Sequence, residues 1–78
     1  MADEVATKLR AYLTRRVPGF DLGNDDDIWT SGWVNSLVAT EMAAYVQREF
    51  GIKLTSADLV RDNFRTINTV SRLVERRR

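Results

Sequence analysis

Apolar residues recur at helical spacing in three separate stretches of this chain, and nowhere do they alternate long enough to build a strand. From about residue 3 to 16, Val5, Leu9, Tyr12 and Leu13 fall at i, i+4, i+7 and i+8, which is one face of a helix. From Ser36 to Phe50, Ala39, Met42, Ala43, Val46 and Phe50 make a second stripe, assigned to the core. Leu37, Glu41, Ala44, Tyr45 and Arg48 lie on a neighbouring, more exposed stripe. Ile67, Val70, Leu73 and Val74 repeat the pattern in a last helix over about 66–76. The chain is therefore expected to be all-α.

End signals set the boundaries. Asp3 and Glu4 at the start of the first helix and Arg15 and Arg16 at its end both suit the helix dipole, and Pro18-Gly19 stops it. Asn35 is a good N-cap for the second helix, 36–50, and Gly51 suits the left-handed position that closes it. Ile52-Lys53-Leu54 reads as an extended link. Thr55 or Ser56 then caps a brief helix over 56–60, and a loop over 61–65 buries Phe64. Thr66 caps the last helix. Residues 17–35 form a long connection with turn signals at Pro18-Gly19, Gly23-Asn24 and Ser31-Gly32. It also carries Phe20, Leu22, Ile28, Trp29, Trp33 and Val34, far too apolar for a floppy linker. An ordered loop across the helices is expected, with at least one tryptophan pinning it to the core. The architecture is a four-helix bundle, three main helices and a short one, with a long first loop, in a single domain 1–78.

At 78 residues, with no Cys and no His, the fold has neither disulfide nor thiolate metal site to staple it and must hold by packing. The same absences remove the usual acid–base and nucleophile pairs. Lys8 and Lys53 are the only lysines and neither is near Ser36 in sequence. Asp25-Asp26-Asp27 lacks the spacing and glycine of a calcium loop, and there is no glycine-rich phosphate loop. An enzyme, or a metal site, is not expected. No apolar run approaches the ~20 residues that span a bilayer, and the first ten residues do not make a secretory signal. A soluble, cytoplasmic, monomeric protein is the simplest reading, and Met1, the charged tail and the compact length favour a free-standing one.

Net charge is +1, but residues 21–36 hold four acids and no base, while residues 55–78 hold three acids and six bases. Three terminal arginines without an organised basic face make poor evidence for nucleic-acid binding. A helix-turn-helix is also disfavoured, because the segment after Gly51 is too short for a recognition helix and carries Asp58.

Ser36 stands out. It sits at the mouth of a helix, where free amides and the dipole favour an anion, and is followed by Leu37. It is either a second capping residue or a hydroxyl presented for modification by another protein, and local physics leaves both open.

The stretch Asp27-Ile28-Trp29-Thr30-Ser31-Gly32-Trp33-Val34-Asn35-Ser36-Leu37, followed by a helix closing on Glu49-Phe50-Gly51-Ile52, resembles the acyl carrier protein family. Asn63-Phe64 and the spacing of Ile67, Val70, Leu73 and Val74 extend the resemblance over nearly the whole chain. It implies a carrier fold with 4′-phosphopantetheine attached to Ser36, loaded by a phosphopantetheinyl transferase from coenzyme A. It also implies an acyl group held as a thioester for partner synthase enzymes, which would dock around Asn35, Leu37, Val38, Glu41, Tyr45 and Arg48. Asn35 replaces the family's usual Asp, keeping the capping oxygen and dropping the charge. The Asn-Ser-Leu form resembles discrete carriers of unusual polyketide extender units such as methoxymalonyl thioesters. A second departure is the weakly acidic second helix, with Glu41 and Glu49 offset by Arg48, so that docking would lean on apolar contacts. A peptidyl or aminoacyl carrier is the nearest rival reading, and a non-carrier helical interaction module the plainest.

Overall fold

The computed structural model describes the backbone of residues 2–30, 32 and 34–78, and side chains from Glu4 onward within that set. Ser31, Trp33 and Met1 lie outside the described residues, and with them the turn expected at Ser31-Gly32 and any anchoring by Trp33. Three α-helices, α1 (Ala2–Arg16), α2 (Ser36–Phe50) and α3 (Ile67–Arg77), and one 3-10 turn, Arg61–Phe64, are the regular elements among them. The bundle measures 29 × 23 × 19 Å.

Each helix forms where its apolar stripe and caps coincide. Val5, Leu9 and Leu13 of α1, Met42 and Val46 of α2, and Ile67, Val70, Leu73 and Val74 of α3 are fully buried together. The Asn35 side chain accepts from the Val38 amide at 3.0 Å and so caps α2. Gly51 closes it in the left-handed region, φ 64°, donating to the Gln47 carbonyl. Thr66 and Thr69 form a reciprocal capping box at the start of α3.

The connection between α1 and α2 contains only turns among its described residues, and it is fastened at several points. Phe20, Ile28 and Val34 are buried in the core, with Trp29 packed partly against it. The Ile28 amide donates to the Arg65 carbonyl at 2.9 Å, and the Asn68 amide to the Asn24 carbonyl at 3.0 Å. Arg10 of α1 donates to the Leu22 carbonyl and to Asn24 Oδ1. The acids are part of this fastening: Asp25 accepts from Asn68 Nδ2, Asp26 from the Gly23 amide, and Asp27 from the amides of Trp29 and Thr30.

The short helix expected over 56–60 is not formed. Residues 56–58 make a single turn, and the helical geometry appears instead at Arg61–Phe64 as a 3-10 turn. The cause is Asp58, which is turned inward at 4% exposure. Its carboxylate accepts from the Thr55 amide and hydroxyl and from Arg77 at 2.5 Å, while its carbonyl is taken by Asn63 Nδ2 at 2.8 Å. These tertiary contacts hold the chain in a turn at 56–58, and Val60 runs extended, φ −108° and ψ 150°, before the 3-10 turn begins.

Candidate functional site

Ser36 is the first residue of α2, and its side chain is exposed. Because Asn35 already caps the helix, the amide of Val38 goes to Asn35. The Ser36 carbonyl accepts from the Thr40 hydroxyl at 2.9 Å, which holds Thr40 against the same face one turn on. The first turn of α2 carries no acidic side chain, so nothing on the helix offsets the positive end of its dipole.

Ser36 opens onto a groove of about 250 Å³ between α2, the α1–α2 loop and the segment 59–64. Ala39, Thr40 and Ala43 form one wall, Leu59, Val60, Arg61 and Phe64 the other, with Trp29 beside them. Small residues on α2 make the space; a larger side chain at Ala39 or Ala43 would fill it. Leu37, 62% exposed, and Leu59, 50% exposed, are the most exposed large apolar residues among those described; Leu59 lines the groove with Val60, and Leu37 follows Ser36 in the first turn of α2.

The Arg61 guanidinium lies over the Trp29 ring, 4.7 Å from its centroid. The Trp29 indole N–H is buried and has no hydrogen-bond partner among the described residues. Asp27, under the same loop, is held below the usual carboxylate range. The Thr30 amide is the main cause, opposed by partial burial and aided by the Trp29 amide and the charges of Arg65 and Arg61.

The residues expected to flank the serine divide over two faces. Asn35 and Leu37 are exposed beside it. Val38 is buried in the core, so it positions the helix and is not open to a partner. Tyr45, expected on the exposed stripe, is buried: its ring stacks on Tyr12 at 4.3 Å and its hydroxyl reaches the Lys8 carbonyl at 3.3 Å. Burial pushes the pKa of both tyrosines above that of an ordinary phenol. Glu41 is paired to Arg16 of α1 at 2.6 Å, and Arg48 lines a cleft with Tyr12, Arg15, Arg16 and Tyr45. Helical periodicity assigned Tyr45 outward because it could not see that α1 also packs on that side of α2. Conversely, sequence reasoning did not mark Trp29, Thr40, Leu59, Val60 or Arg61 as site residues. The adjacent Leu59-Val60, apolar and unplaced in any helical stripe, was the available signal.

Among the described residues no cluster of His, Cys, Asp and Glu could hold a metal ion, and no helix is long and apolar enough to cross a membrane. Curated proteins give no match to the chain. Residues 4–75, however, match the family described as "Phosphopantetheine attachment site". The match begins inside α1 and ends inside α3, so it takes in the whole bundle with Ser36 and its groove. The chain belongs to that family, a phosphopantetheine carrier family whose members bear a covalently attached 4′-phosphopantetheine.

Proposed function

We propose that Ser36 is the attachment point and that the chain is an acyl carrier protein of polyketide or related secondary-metabolite biosynthesis. The observation that carries the reading is an exposed hydroxyl on the first residue of a capped helix, opening onto an apolar groove. The residues present suit the group. A phosphodiester on Ser36 would lie at the positive end of α2, and that end carries no acid to repel it. The groove beside it offers apolar walls to whatever follows.

When bound, the group supplies the thiol that this Cys-free chain lacks, and an acyl thioester can be held there. The chain's own part is presentation. Asn35 fixes the end of α2, Val38 locks that end into the core, and Ser36 stands clear for a transferase that brings the base, the magnesium ion and coenzyme A. Among the described residues that line the groove with Ser36, none is a carboxylate, a lysine or a histidine, so the reading is of a carrier acted on by other enzymes. Docking falls to Asn35 and Leu37 beside the serine and to Leu59 and Val60 at the groove, with Glu41, Tyr45 and Arg48 left to bundle contacts and a second cleft. The Asn35-Ser36-Leu37 form, which resembles that of discrete extender-unit carriers, supports a cargo of the methoxymalonyl type in a cytoplasmic protein, and the identity of the loading enzyme separates this from a peptidyl carrier.

The test is to map the modification. After incubation with coenzyme A, Mg²⁺ and a broad-specificity phosphopantetheinyl transferase, trypsin releases the stretch 17–48, bounded by Arg16 and Arg48. Fragmentation should place one phosphopantetheine on Ser36. Modification at Thr30, Ser31 or Thr40 in its place would refute the assignment. Loading of the cargo by an adenylating enzyme, and not by an acyltransferase, would move the chain to the peptidyl class.

A further inference from the structure

Besides the hydroxyls of Ser36 and Thr40, two lining residues of the groove carry donors that have no acceptor among the described residues. Arg61 is its one charged lining residue, and among the described residues the guanidinium has neither an ion pair nor a hydrogen-bonded oxygen. Asp27 feels its charge through space, but that carboxylate is committed to the amides of Trp29 and Thr30 and lies 3.8 Å from Arg65. The second donor is the indole N–H of Trp29, buried and without a hydrogen-bond partner among the described residues, on the ring that Arg61 lies over. Leaving a buried donor unpaired costs folding free energy, and such a group calls for a reason. A guanidinium held over an aromatic ring face by a cation–π contact also keeps its N–H donors for a partner.

We propose that Arg61 is a specificity-determining residue that receives an anionic end group on the cargo, so that the carrier takes short acyl chains ending in a carboxylate. The proposal rests on the reading of Ser36 as the attachment point. The size of the groove agrees with it: about 250 Å³ lies below the ~300–1,000 Å³ of sites that enclose drug-sized ligands, so a long alkyl chain would not be housed. Its chemistry agrees too. Ala39, Ala43, Leu59, Val60 and Phe64 suit the body of a small acyl group, and a carboxylate meets a guanidinium through two parallel hydrogen bonds. A neutral chain of the same length would leave Arg61 unpaired.

The experiment uses malonyl-coenzyme A carrying ¹³C in its free carboxylate. A broad-specificity transferase moves the malonyl-phosphopantetheine to the Ser36 oxygen, with release of adenosine 3′,5′-bisphosphate, and intact mass verifies loading. The carboxylate is then titrated by NMR on the wild type and on Arg61→Gln, with the Trp29 indole resonance followed alongside. The neutral amide analogue of the malonyl group serves as a control. In the wild type the carboxylate should titrate at lower pH than on Arg61→Gln, and the Trp29 resonance should differ between the malonyl and amide forms. Arg61→Lys should restore part of the shift. Equal titration on loaded wild type and Arg61→Gln would overturn the role of Arg61 while leaving the carrier reading intact. Failure of Ser36 to accept any acyl-phosphopantetheine would overturn the carrier reading and the role of Arg61 with it.

Discussion

Asn35 does two jobs at once: its oxygen closes the first turn of α2, and its neutrality leaves the dipole end uncompensated. Asn35→Ala should destabilise the protein by about 1 kcal/mol, within the range of N-cap deletions, as read by urea denaturation. Asn35→Asp keeps the capping acceptor and adds a charge that suits the helix end, so its stability should equal or exceed the wild type. A loss on Asn35→Asp as large as that on Asn35→Ala would show that the cap is not what the residue contributes. Asp58 gives a second residue-scale prediction. Hydrogen bonding from Arg77 first, then from Thr55, lowers its carboxyl from 3.8 to about 2 in the folded protein. The group therefore favours the folded state above the unfolded value, and this contribution disappears as pH falls through about 2. Thermal melts from pH 5 down to 2 should show stability declining in that window. Asp58→Asn should be less stable at neutral pH with a flatter acid limb; an unchanged acid limb would mean that the pair with Arg77 does not hold in solution.

At the scale of elements, the helices were legible because stripe and cap agreed. Asn35, Gly51 and Thr66 all act where the sequence places them, and α2 runs over the expected 36–50. What was not legible depended on long-range partners. Nothing near residues 56–60 reveals that Asp58 will face Arg77 and give its carbonyl to Asn63, so a helix was expected where a turn forms. Tyr45 likewise reads as exposed until Tyr12 covers it. The serine was found from its own neighbourhood, whereas the far wall of its groove comes from a segment more than twenty residues on, which no local spacing can bring to it. The left-handed closure of α2 offers a clean check. Gly51 has open space around it, but φ 64° is strained for a residue with a side chain, so Gly51→Ala should cost roughly 1 kcal/mol. No loss in a denaturation experiment would mean that α2 ends differently.

At the scale of the whole molecule, a chain without disulfides depends on one small core shared by α1, α2, α3 and the loop. Met42 of α2 is one of its fully buried side chains. Met42→Ala removes that packing and should cost about 2–5 kcal/mol. Against a total stability of roughly 0.05–0.15 kcal/mol per residue, that is a large fraction, so the variant should melt far earlier or be partly unfolded at room temperature. The core also explains the division of surfaces. Salt bridges Lys8–Glu49 and Arg16–Glu41 tie α1 to α2 on one side, and Arg77–Asp58 ties α3 to the segment before the 3-10 turn. The groove, by contrast, is left with Leu59 and Val60 exposed and one cation without an ion pair among the described residues, and Leu37 is exposed next to Ser36. A protein that works by presenting one hydroxyl to others needs this arrangement, a rigid body with a single apolar margin around the point of attachment. The central claim is tested most directly by intact mass after incubation with coenzyme A, Mg²⁺ and transferase, wild type beside Ser36→Ala. A gain of one phosphopantetheinyl group on the wild type and none on Ser36→Ala is the predicted result. A gain on both, or none on a well-folded wild type with its cognate transferase, would contradict it.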